Sequence, residues 1–151
     1  MVTIGATTER TAEGTRVMAQ STGPLDVAHK YFEALSAKDF ATVAGMFADD
    51  IVWHQPGANR FSGTRRGGEA VGEMLGGMMS VSQGTFEISL TGSLAANGSL
   101  VAAPIHFSGT RDGAAVDQDG VDLLRVEGDR IAEVWLFSSD PEEEDAFWGA
   151  A

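Results

Sequence analysis

Cysteine is absent from this chain of 151 residues, which removes disulfide bonds, thiolate metal sites and a cysteine nucleophile at once. Basic residues are scarce as well. Ten Lys and Arg stand against 22 Asp and Glu, and the formal net charge of −12 repels phosphate backbones and anionic membrane surfaces. Neither nucleic acid nor a membrane is an expected partner. Arg60, Arg65 and Arg66 come closest to a basic cluster, but they sit in a glycine-containing loop without lysine runs or interleaved aromatics. No continuous apolar stretch reaches the length of a signal-peptide core or a membrane span, and the N-terminal segment carries Glu9 and Glu13. A cytoplasmic protein is expected. The 19 glycines form no G-x-G-x-x-G after a strand, no P-loop lysine motif and no G-x-S-x-G elbow, which argues against nucleotide cofactors and serine-hydrolase chemistry. No cofactor is expected, and no metal: His54, His106 and Asp122 have the residue types of an iron or zinc set but are scattered without ligand spacing.

What is present is an apolar content of 43%, enough for one core with a small-molecule cavity inside it. Residues 1–23 have no hydrophobic period and are read as a flexible leader, leaving 24–151 as a single domain. Val27, Tyr31, Ala34 and Leu35 recur at helical spacing, with Pro24 and Asp26 suited to the first turn. Asp39 is a suitable N-cap for a second helix carrying Phe40, Val43, Ala44 and Phe47 on one side and stopping at Asp49-Asp50. A short strand, Ile51–His54, ends at Gln55-Pro56-Gly57. Ala70, Val71, Met74, Leu75, Met78 and Met79 mark a third helix over 68–80, weakened by Gly72, Gly76 and Gly77, where another backbone could approach.

Strands are expected at 85–91, 100–108, 115–126 and 131–138, joined by turns at Asn97-Gly98, Asp112-Gly113 and Gly128-Asp129, so that consecutive strands pair antiparallel. Asp140 to Trp148 reads as a short, acid-started helix that folds an aromatic pair onto the body. Helices ahead of a meander make an α+β cone in which a curved antiparallel sheet wraps three N-terminal helices around an internal pocket.

Along the strand Val121–Val126, alternation puts Asp122, Leu124 and Val126 on one face, so a carboxylate shares its side with two aliphatics. Burial would raise its pKa and ready it for proton transfer near neutral pH. Alternatively, Asp122 meets solvent or pairs with Arg125 or Arg111. His106, in phase with Pro104 and Ser108, is either a proton shuttle or a solvent-face histidine. His54, at a strand end, is read as pocket lining. The single tyrosine, Tyr31, lies in the apolar stripe of the first helix and is either a packed ring or a donor to a developing oxyanion.

Four stretches resemble the SnoaL-type polyketide cyclase and ketosteroid isomerase branch of the NTF2-like superfamily: Tyr31–Phe40 leading to Met46–Asp50, Val52–Gly57, Phe61–Gly63 through Gly67–Val71, and Val121–Trp135. The resemblance runs from about Leu25 to Trp148. It implies the cone fold, a homodimer, and a cofactor-independent cyclase or isomerase acting on an apolar, carbonyl-containing, polyketide-like intermediate. It also admits an epoxide-opening enzyme or a non-catalytic binding domain. By this resemblance Tyr31 matches the oxyanion-hole tyrosine and Asp122 its carboxylic-acid partner. The isomerases' general base falls at Gln55, which cannot take a proton, so the cyclase-like branch, with Asp122 as acid/base and His106 or His54 assisting, fits better. The cavity wall is expected to draw on Trp53, Gln55, Phe61, Met74, Leu124, Trp135 and Phe137.

Overall fold

Proline at the first helical position, where no amide donor is needed, starts α1 (Pro24–Ser36), which buries Val27, Ala28, Tyr31, Phe32 and Ala34. The structure, a computed structural model, describes residues 23–150; the leader expected over 1–23 lies, apart from Gly23, outside the described residues. The helix α2 (Phe40–Met46) is capped by Asp39, whose carboxylate accepts from the Thr42 amide at 3.3 Å. It ends three residues sooner than its apolar pattern predicts. Phe47 already has extended backbone and opens β1 (Phe47–Gln55), so the expected four-residue strand is nine residues long. The tertiary pairing of that strand overrides the helical spacing of Phe47 with Val43 and Ala44.

After β2 (Gly63–Arg66) comes α3 (Gly68–Val81), which buries Val71, Met74 and Met78. Its glycines differ in what they permit. A Cβ on Gly77 would stand 2.9 Å from the Phe61 ring, so there the close neighbour is a side chain and not another backbone, whereas Gly72 and Gly76 face open space.

The remaining strands are β3 (Glu87–Leu90), β4 (Ala95–Asn97), β5 (Leu100–Arg111), β6 (Ala114–Glu127) and β7 (Arg130–Ser138), followed by α4 (Pro141–Trp148). They build one seven-stranded sheet in the order β2-β1-β7-β6-β5-β3, with β4 also on β5. The turns at Asp112-Gly113 and Gly128-Asp129 join antiparallel neighbours as their chemistry predicts, and Asn97-Gly98 joins the short β4 to β5. The all-antiparallel expectation fails at one seam, because β1 pairs parallel with β7 and the sheet is mixed. Register shifts in β1 between Phe47 and Val52, and in β6 between Arg125 and Val126, bend the sheet around α1 and α3.

Two devices hold the last helix against this concave face. Gln118 donates to the Asp140 carbonyl at 2.9 Å and to Glu143 at 2.7 Å, while Asp145 accepts from the Ala58 amide at 2.9 Å and from Asn59 at 2.8 Å. Trp148, fully buried, then packs edge-on against Phe61 with ring centroids 5.3 Å apart and against Phe147 at 4.8 Å.

One strand glycine is required by closeness. A Cβ at Gly120 would fall well inside van der Waals distance of the Phe137 carbonyl oxygen, which belongs to the neighbouring strand and cannot swing aside. Gly120→Ala is expected to destabilise the fold by about 1–3 kcal/mol through overpacking, read as a lower denaturant midpoint with an unchanged slope. An unaltered midpoint would mean that β6 and β7 can separate there at no cost.

Candidate active site

The inward positions of β6 run Val116, Gln118, Asp122, Leu124 and Val126, and Asp122 is only 3% exposed among them. No hydrogen bond or ion pair joins its carboxylate to any described residue. Arg125 points to the other face, where it meets Glu127 and Glu133, and Arg111 donates to the Phe147 carbonyl at 2.5 Å. The surface pairing that would have made Asp122 an ordinary strand residue does not form. Asp122 instead lines a cavity of about 70 Å³ with Tyr31, Trp53, Gln55, Ile105, Phe107, Glu144 and Trp148. Burial, reinforced by the charge of nearby Glu144, pushes its pKa up to about 8.

Tyr31 enters the cavity from α1, fully buried, with its ring edge-on to Phe32 at 5.1 Å. Its hydroxyl has no hydrogen-bond partner among the described residues, an omission worth about 1–3 kcal/mol in a buried site. Burial and the neighbouring Asp122 charge hold the phenol well above its usual pKa, so it stays protonated and able to donate.

The second acidic group of the cavity is Glu144 on α4, 6% exposed. It accepts from Trp148 Nε1 at 3.2 Å, from Gln55 Nε2 at 3.5 Å and from the Ser138 hydroxyl. Burial raises its pKa, the hydrogen bonds from Ser138 and Trp148 pull it down, and Asp145 pushes it up. Gln55 in turn accepts from Trp53 Nε1 at 2.9 Å. Gln55 therefore cannot transfer a proton itself but ties the wall of β1 to the Glu144 carboxylate, which can. Sequence reasoning passed over Glu144 as one more acid in an acidic helix start. A usable cue existed: it precedes the buried Trp148 by four residues, which places both on one helical face.

Both expected histidines lie elsewhere. Ile105 and Phe107 face the cavity, so His106 between them faces outward, its ring clasped by Asp119 at 2.8 Å and Asp117 at 2.5 Å. Those carboxylates raise its pKa by favouring the imidazolium, but they hold it away from Asp122. His54 also faces outward, stacked on Trp135 with centroids 5.4 Å apart and Nε2 at 2.6 Å from Glu133. With the histidines on one side of the sheet and Asp122 on the other, these three residues form no common site.

Among the expected wall residues, Trp53 and Gln55 line the cavity, and Leu124 lies behind Asp122, fully buried. Phe61 and Met74 are buried in the core beside the cavity instead of lining it. Trp135 is on the outer face, and Phe137 borders the cavity while remaining 55% exposed. Leu136, not its aromatic neighbours, is the β7 side chain in phase with Val134. A wider cleft of about 520 Å³ between α1, α2 and the turn at Asp129 is lined by Lys30, Glu33, Asp39 and Arg130, all exposed, and holds no buried polar group.

Helices laid on the concave face of a mixed sheet, enclosing a mainly apolar cavity with a carboxylic acid that has no partner among the described residues, define an α+β domain built around an internal cavity. Residues 28–134 match the SnoaL-like domain family, and the chain belongs to that family. It is 49% identical to a protein of unknown function with a cystatin-like fold from Xanthomonas campestris, with a TM-score of 0.81 over 84% of this chain and 98% of that one. An uncharacterized protein of Mycobacterium tuberculosis is 30% identical over 124 residues, which are 82% of this chain and 95% of that protein. The fold is also that of an LEH-like epoxide hydrolase from Mycobacterium tuberculosis, 21% identical with a TM-score of 0.65 over 85% of this chain and 91% of that chain. No helix among the described residues is long and apolar enough to cross a membrane.

Proposed function

We propose that this protein is a cofactor-independent isomerase or cyclase that moves a proton next to the carbonyl of a small, largely apolar substrate. The observation that carries this reading is Asp122, buried without a partner among the described residues in the cavity that also receives the unpartnered Tyr31 hydroxyl. The ionised Asp122 takes a proton from the carbon beside the carbonyl, and the electron pair moves onto the carbonyl oxygen. Tyr31 donates a hydrogen bond to that oxygen as its charge develops. Asp122, now neutral, returns the proton at another carbon in an isomerisation; in a cyclisation the enolate carbon bonds to a second, internal carbonyl carbon, whose C=O π pair moves onto its oxygen and takes the proton from Asp122. A base with a pKa of about 8 is stronger than an ordinary carboxylate and still partly ionised near neutrality.

Proton abstraction can be tested without knowing the physiological substrate. Simple cyclic and acyclic ketones incubated with the protein in deuterium oxide should lose their α-proton NMR signals faster than in buffer, with a rate that rises with pH through about 8. Glu144→Gln removes the negative charge that helps to raise the Asp122 pKa, so the midpoint of this pH profile should move to lower pH. Exchange no faster than in buffer across the panel would overturn the reading; an unmoved midpoint would remove Glu144 from it.

The pair of carboxylates also favours a second reading, opening of an epoxide. Asp122, mostly neutral at pH 7, would protonate the epoxide oxygen while Glu144 draws a proton from an attacking water or internal hydroxyl. Incorporation of heavy oxygen from labelled water into the product separates attack by water from internal closure.

A further inference from the structure

The cavity around Asp122 is small for its chemistry. Its volume of about 70 Å³ lies far below the ~300–1,000 Å³ of pockets that enclose drug-sized ligands. It is also asymmetric. Asp122, Glu144, Gln55 and the Tyr31 hydroxyl supply the polar groups, whereas Leu35, Leu75, Met78, Phe86 and Ile88 form a purely apolar side. Those same five apolar residues line a second void of about 40 Å³, closed further out by Phe40 and Met79. Phe40, Met79 and Leu75 in turn line a third, an external groove of about 400 Å³ between α2 and α3. Leu75 borders all three.

Three consecutive voids thus lead from the buried acid to the surface, separated only by a few side chains, and the outermost is of ligand size. Methionine suits such partitions because its unbranched thioether swings at low cost. Phe40 stands 37% exposed at the outer junction, one of the few large apolar side chains left to solvent. The groove is kept open by sequence: Gly68, Gly72 and Gly76 share its lining, and a Cβ added at any of them would meet nothing within 4 Å. Glycines at Gly72 and Gly76 cost helix stability, and neither is explained by a turn or by a close neighbour.

We propose that the substrate is an elongated molecule with a carbonyl head and an apolar tail. The head occupies the Asp122 cavity, and the tail passes Leu75, Met78 and Met79 into the groove between α2 and α3. This inference rests on the acid/base reading of the inner cavity and extends it outward. It would also make Gly72 and Gly76 residues that set the permitted length of the tail.

The test is a binding series on the full chain with butanone, heptanone and undecanone, followed by quenching of the cavity tryptophans Trp53 and Trp148. In the wild type, affinity should tighten about fourfold per added methylene as the tail is buried. Gly72→Leu and Gly76→Leu, which also improve helix propensity, should leave butanone binding unchanged and abolish the gain from butanone to undecanone. A wild-type series that is flat with length, or glycine variants with the wild-type length dependence, overturns the proposal. So does a shift in sedimentation of Gly76→Leu relative to wild type, since the groove would then be covered by a second copy. The binding series does not need turnover. Length dependence in a protein that exchanges no α-protons would leave the groove standing and remove the chemistry, and the converse result would do the opposite.

Discussion

Asp122→Asn is expected to abolish α-proton exchange while making the protein more stable at neutral and alkaline pH. Removing the proton-transfer group should cost at least the roughly 10²–10⁴-fold that general acid–base catalysis supplies. Asparagine has the shape of the neutral acid, so the core keeps its packing. The stability effect follows from the same burial that prepares the group. In the unfolded chain Asp122 titrates near 3.8, and in the folded protein its pKa is about 8. A carboxyl raised in this way binds its proton more tightly when folded, so its contribution is fully present below pH 4 and is lost as pH rises through the folded value. By pH 7 the loss is at most on the order of 4 kcal/mol. Asparagine, with nothing to ionise, should escape it. Melting temperatures of the two proteins should therefore agree near pH 4 and diverge toward pH 8, the variant melting higher. An active variant, or two curves that overlay throughout, would show that Asp122 is neither the base nor buried as a proton-transfer group.

How far the sequence led to this site depended on whether a contact is local or tertiary. The alternation of Val121–Val126 was enough to put Asp122, Leu124 and Val126 on one face, because strand periodicity survives any packing. The same argument carried the correct placement of His106, opposite Ile105 and Phe107, although resemblance to the cyclases drew it into the catalytic set. The parallel seam between β1 and β7 was illegible, since no turn connects strands so distant in sequence. Glu144 depended on it indirectly. Only when α4 closes over the end of β1 does an exposed-looking helix of acids deliver one carboxylate to Gln55 and Trp148. The apparent loss of a second acidic group at Gln55 is thereby offset by a residue 89 positions further along the chain.

Tyr31→Phe should produce the same opposition between stability and activity from the other side of the cavity. The hydroxyl is fully buried and no group of the described residues pairs with it, so folding sets no protein hydrogen bond against the cost of burying it. Deleting it keeps the ring, its edge contact with Phe32 at 5.1 Å and its tilted contact with Phe47 at 6.0 Å. Only one oxygen is lost, too little for the surrounding core to feel as a cavity, and the substitution should stabilise the fold by about 1–3 kcal/mol. Exchange of α-protons, in contrast, should fall by about 10²–10³-fold, the loss seen when one donor to a developing oxyanion is removed. The split between binding and chemistry identifies the cause. A donor used only as charge builds on the carbonyl oxygen affects the rate and leaves ketone affinity nearly unchanged, whereas a group that merely shaped the pocket would weaken binding with the rate of the bound complex preserved. A variant that is more stable and fully active would make Tyr31 a packed ring and nothing more, leaving Asp122 to act without an oxyanion donor from α1.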